Sequence, residues 1–211
     1  MHVTTMTPAA TFLFMLPAAA FLTTLANAAT TLFPSPPAAP VPPLCAASPP
    51  TVAFLRAGCA TTLYRVTCYD SLIPYGCAFQ TSHVKLARVA TDVNHVRLRT
   101  LSKRVKELVA IGGATPSLRD CAGTISSAAG LARQSSAELA KLDNAGPAAA
   151  RSEVRWAISN AQTWLSAAMT NEATCADGLG AAGGEVSRET ARAKEHTSIA
   201  LALVNGIPLP P

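Results

Sequence analysis

Aromatic side chains are scarce in this chain, 5% of its 211 residues, and charged ones reach only 14%. Val, Ile, Thr and aromatic residues rarely alternate in strand fashion while alanine is abundant, so packed helices are favoured over a sheet. Histidine is limited to His2, His83, His95 and His196, and no Cys-x-x-Cys pair occurs. That spacing does not match a zinc site, and neither a structural metal nor a cofactor is expected. No nucleophile sits with a base, and no paired carboxylates stand out, so an enzyme is not expected. His83 and His95 lie about 120° apart around an ideal helix and share no face; both read as surface histidines. No Asn-x-Ser/Thr site is present, so N-glycosylation is not expected.

Residues 1–28 hold no Asp, Glu, Lys or Arg, run apolar from Phe12 to Leu25, and end in the small-x-small pattern Ala26-Asn27-Ala28. This reads as a secretory signal peptide, removed on export. Pro17 and the short apolar run argue against a spanning helix, and no later segment is apolar enough to span, so no membrane association is expected after removal. Residues 29–50 are rich in Pro and Ala, with Pro34, Pro36, Pro37, Pro40, Pro42, Pro43, Pro49 and Pro50 ahead of the first charged residue, Arg56. Such a run prefers polyproline II and lacks backbone donors, which makes it an extended tether outside the core.

What remains has room for one domain with a sizeable core. Six cysteines on an exported route imply disulfides, and their pairing is left open among fifteen complete arrangements. Residues 51–74 read as two short helical segments around Gly58-Cys59, closed by Pro74. They are too small to hold their shape alone, and a local bridge from Cys59 to Cys68 would staple them.

From Leu86 onward, Leu86, Val89, Val93, Val96, Leu101, Val105 and Leu108 recur mostly at steps of three and four, one face of a long helix ended by Gly112-Gly113. Thr115-Pro116 opens a second helix, through Leu118, Cys121, Ile125, Ala128, Ala132, Ser135, Leu139 and Leu142, broken at Asn144-Ala145-Gly146-Pro147. A third runs from about Ala148, with Val154, Ile158, Ala161, Leu165, Ala168 and Cys175 on one stripe, to Gly183-Gly184. A fourth carries Val186, Thr190, Ala193, Thr197, Ala200 and Val204. Four such helices joined by short turns make an all-α, up-down-up-down four-helix bundle the economical fold.

Phe54 to Leu72 (FLRAGCATTLYRVTCYDSL), LRDC (Leu118 to Cys121), SSAEL (Ser135 to Leu139), WLSAAMTNEATCADG (Trp164 to Gly178) and HTSIALALVN (His196 to Asn205) resemble, in order, the plant invertase and pectin methylesterase inhibitor family. The match covers about residues 51–205, leaving 206–211 as a tail. It implies a disulfide-braced four-helix bundle preceded by an N-terminal helical hairpin. Carried over by position, it also implies bridges from Cys59 to Cys68 and from Cys121 to Cys175. Cys45 and Cys77 depart from the family pattern; a third bridge between them, a link to another molecule and free thiols all stay open.

The resemblance further implies a secreted, cell-wall (apoplastic) inhibitor of pectin methylesterase, acting by one-to-one complex formation over the enzyme's pectin-binding cleft. Thr170, Asn171, Glu172, Thr174 and Asp177 are the expected partner-binding residues. The alternative target is acid invertase, which family members engage through the hairpin and a Pro-Lys-Phe element; no Pro-Lys-Phe occurs in this chain. A non-inhibitory structural or storage protein is a further alternative. The chain ends at Pro211 without a following esterase domain, so a standalone inhibitor is expected.

The first long helix is basic: Lys85, Arg88, Arg97, Arg99, Lys103, Arg104 and Lys106 oppose only Asp92 and Glu107. A solvated face is the plain reading. Nucleic acid is not an expected partner for an exported chain without interleaved aromatics. Attraction to acidic pectin or to an acidic enzyme surface is the sharper reading.

Overall fold

Ser48 opens the first helix by accepting the Thr51 N–H on its hydroxyl at 3.4 Å, just ahead of Pro49 and Pro50, whose missing N–H groups cost nothing in a first turn. The structure, a computed structural model, describes residues 47–146 and 149–210, all within one compact unit, Pro40–Pro211. The proposed signal segment, nearly all of the tether and Cys45 lie outside the described residues.

Helix α1 spans Pro49–Ala60 and α2 spans Arg65–Leu72. The Cys59–Cys68 disulfide joins them, with Cα atoms 5.6 Å apart. The chain does not leave helical geometry at Pro74, as the sequence suggested. A single 3-10 turn, Ile73–Tyr75, carries the proline in its first turn, where the absent N–H is tolerated, and α3, Gly76–Phe79, follows. Gly58 lets this hairpin sit close to the bundle: a Cβ there would lie 3.1 Å from Leu86 and 3.5 Å from Leu203.

Four long helices follow: α4, His83–Ala110; α5, Pro116–Ala145; α6, Arg151–Leu179; and α7, Gly184–Asn205. Hydroxyl caps set two of the starts, Ser82 accepting from the Lys85 N–H and Thr115 from the Leu118 N–H. Gly112 and Gly113, at φ 101° and 70°, turn the chain between α4 and α5 in a region that L side chains avoid. Sequence neighbours pack as antiparallel neighbours, and α7 closes the ring against α4.

The interior is two apolar clusters stacked along the bundle. Leu55, Leu72, Phe79, Leu86, Leu139, Leu165 and Leu203 fill the end under the hairpin. Leu98, Val105, Ile125, Ala132, Ala168 and the Cys121–Cys175 pair fill the other. Each long helix adds a fully buried polar side chain to this interior: Asn94, Ser135, Glu172 and Thr197.

Candidate protein-docking face

The second disulfide, Cys121–Cys175, clamps α6 to α5 with Cα atoms 4.4 Å apart. Both pairings implied by the resemblance are therefore present. The clamp fixes the segment Thr170–Gly178, and helical geometry then sorts its side chains. Thr170, Thr174 and Asp177 are exposed, at steps of four and three along one side, and Asn171 is half-buried beside them. The Thr170 and Thr174 hydroxyls donate to the carbonyls of Ser166 and Thr170, at 3.1 and 3.0 Å. Their protons are thus turned inward and their lone pairs and methyls outward. The same side continues toward the start of α6 through Ser166, Thr163 and Ser159 to Trp156, 67% exposed. Sequence reasoning missed this extension, although counting back from Thr170 in steps of four and three reaches every one of these residues.

Glu172 corrects the expected set. It is 0% exposed and points into the bundle, so it is not part of the docking face. Its Oε1 accepts the Thr197 hydroxyl at 2.5 Å, while Asn94 Oδ1 lies 3.1 Å from the same hydroxyl. A hydroxyl has one proton, so it satisfies one acceptor at a time. Glu172 Oε2 and Asn94 Nδ2 have no hydrogen-bond partner among the described residues. Burial pushes the Glu172 carboxyl up to about 7, against the opposing pull of the Thr197 hydroxyl and Lys194. His196, next in sequence to Thr197, is also buried, and desolvation, with Arg97 adding repulsion, lowers its imidazole to about 4. His83 is exposed, with its ring edge-on to Phe54. His95 is half-buried, its Nδ1 placed to donate to the Ala129 carbonyl at 3.0 Å.

The seven cations of α4 do not form one face. Arg88 pairs with Asp143 at 3.1 Å and lies 3.9 Å from Asp92. Arg97 and Arg104 turn toward α7, where Arg104 reaches Glu189 at 2.6 Å and Glu185 at 2.8 Å. The Glu185 hydrogen bond and the charge of Glu189 raise the Arg104 pKa. Arg99, Lys103 and Lys106 turn the other way and line a groove of about 500 Å³ that α5 completes through Ser126 and Ala129. Among the described residues no cluster of three or more His, Cys, Asp or Glu is arranged to hold a metal ion, and no helix is long and apolar enough to cross a membrane.

Fold and surface together define a class: a disulfide-braced helical bundle that carries exposed hydroxyl and charged side chains along the outside of its helices. Within that class, residues 53–203 match the family model described as plant invertase/pectin methylesterase inhibitor, and the chain belongs to that family. It is 33% identical over 167 residues to Pectinesterase inhibitor 9 of Arabidopsis thaliana, covering 72% of this chain and 79% of the relative. Pectinesterase inhibitor 10 from the same plant is 31% identical over 160 residues, and there the match spans 72% of this chain but only half of the relative. A carrot (Daucus carota) protein known as the 21 kDa protein is 30% identical over 171 residues, 76% of this chain and 86% of the relative. Among solved structures, a mutant form of a pectin methylesterase inhibitor from Arabidopsis superposes with a TM-score of 0.57. The two are 22% identical, over 72% of this chain and 95% of that one.

Proposed function

We propose that this chain inhibits pectin methylesterase in the plant cell wall, forming a one-to-one complex in which the exposed side of α6 lies across the enzyme's pectin-binding cleft. The observation that carries the reading is the Thr170, Thr174 and Asp177 side of α6, held in register by the Cys121–Cys175 clamp. From Trp156 to Asp177 this side extends about 30 Å at the helical rise, with Asp177 its one charged member. A long ridge of hydroxyls and methyls suits a groove built to hold a polymer. Trp156 adds an amphipathic anchor of the kind that dominates interface energetics. The names of the two Arabidopsis relatives support the choice of target.

The test is inhibition by the oxidised protein, assayed in parallel on a plant pectin methylesterase and a plant acid invertase. Loss of esterase activity alone is the expected outcome. Loss of invertase activity alone would move the chain to the other branch of its family, and no effect on either would favour a structural role.

A further inference from the structure

We infer that the groove between α4 and α5 is a binding site for de-esterified pectin, a linear polyuronate, separate from the α6 face. Arg99, Lys103 and Lys106 line it on α4 at steps of four and three, so the three cations run in a row of about 10 Å along the helix. The carboxylate in the lining is Glu107, 3.9 Å from Lys103. Lys106 is held by a neutral partner, its ammonium donating to the Ser126 hydroxyl at 3.0 Å.

The opposite wall adds no acid to cancel this charge. Residues 121–137 of α5 contain no Asp or Glu, and Arg133 is their one charged residue. On the α7 side of α4, Glu185 and Glu189 occupy Arg104, with Arg97 and Arg192 lining the same hollow, and Asp143 occupies Arg88 nearer the hairpin. The acids of this chain therefore occupy Arg88 and Arg104 on α4, and the α5-side row, with Glu107 beside Lys103, keeps three cations against one carboxylate.

A polyuronate fits this arrangement because it repeats a carboxylate on every sugar, to be met by the row of cations, and carries hydroxyls for Ser126. No aromatic residue lines the groove, so the base stacking that single-stranded nucleic acids use has no platform. Methyl-esterified pectin carries no charge at those carboxyls and is rejected. Pectin methylesterase converts the second polymer into the first, so the groove would hold the protein on wall regions where that enzyme has already acted. The site does not depend on inhibition, and the two can be tested apart.

The experiment is affinity electrophoresis and co-sedimentation of the oxidised chain with polygalacturonate and with highly methyl-esterified pectin, at low and at near-physiological salt. Three variants are compared with the parent: the groove triple Arg99→Gln/Lys103→Gln/Lys106→Gln, the charge-matched control Lys85→Gln/Arg155→Gln/Arg192→Gln, and Ser126→Asp, which keeps all three cations and adds a carboxylate beside Lys106. The expected result is salt-sensitive binding to polygalacturonate alone. The groove triple weakens it about tenfold, Ser126→Asp weakens it in the same direction, and the control changes it less than about threefold. Equal weakening by both triples would reduce the effect to net charge and overturn the site, as would binding insensitive to esterification or absent in the parent. If the groove triple loses esterase inhibition while polygalacturonate binding is intact, the groove serves the protein partner and the inference fails, whatever becomes of the α6 face.

Discussion

Glu172 is fully enclosed and has no cation in contact, so its charged form is disfavoured and its proton is held to about pH 7. An unfolded chain releases that proton near the ordinary glutamate value. Between roughly pH 4.5 and 7 the folded state therefore binds more protons than the unfolded state, and this residue's contribution to stability falls as pH rises. The accumulated cost is on the order of 3 kcal/mol above pH 7 and vanishes below about pH 4. Glu172→Gln is expected to stabilise the protein at pH 7.5 by up to that amount and to leave it nearly unchanged at pH 4, read as the urea midpoint at each pH. Equal midpoint shifts at both pH values would mean that packing, and not the proton, governs the site. The burial was legible in principle. Position 172 stands four after Ala168 and three before Cys175, on the stripe read as the core of the third helix. Treating TNEATCADG as one polar block overlooked that Glu172 stands about 200° around the helix from Thr170.

Element by element, the two disulfides make unequal contributions because they close unequal loops. On chain-entropy arithmetic the bridge across 9 positions contributes about 2.7 kcal/mol and the bridge across 54 about 4 kcal/mol. Replacing Cys121 and Cys175 together by Ala is thus expected to lower the urea midpoint more than replacing Cys59 and Cys68. The exposed side of α6 should behave in the opposite way. Thr170→Arg with Thr174→Arg places two long cations on solvent, so the melting temperature should move by no more than a few degrees while esterase inhibition falls at least about tenfold. Inhibition that survives this change would remove α6 from the complex. The ends of these helices were largely readable from Thr115, Pro116, Gly112 and Gly113, because capping and positive φ are local chemistry. The fates of the α4 cations were not. Arg104 meets Glu185 and Glu189 more than eighty residues later, and a pattern along one helix says nothing about the acids on its neighbours.

For the whole molecule, the ring of four helices followed from the periodicity, since each stripe had to face another, while the division of its interior into two stacked clusters did not. The polar layer was only partly visible: Ser135 and Thr197 fell on the stripes read as inward-facing, whereas Asn94 looks like an ordinary helix-surface residue until the neighbouring helices enclose it. Glu172 and His196 are both buried, and burial shifts their pKa values in opposite senses. His196 stays neutral down to about pH 4 in the fold but takes a proton near its ordinary value when unfolded, so its contribution to stability falls as pH drops from about 6.5 to 4. Over roughly pH 4.5 to 6.5 the two slopes cancel, and the parent protein should show a flat plateau of stability. Glu172→Gln should tilt it upward with pH, whereas His196→Gln should tilt it downward, both followed by thermal melts across that range. A plateau that persists in both single variants would show that neither group titrates as assigned. Glu172 and His196 thus form a pair of opposed proton sponges that insulate the scaffold from acidity, so a pH-dependent change in the tightness of its complex would be a property of the two touching surfaces.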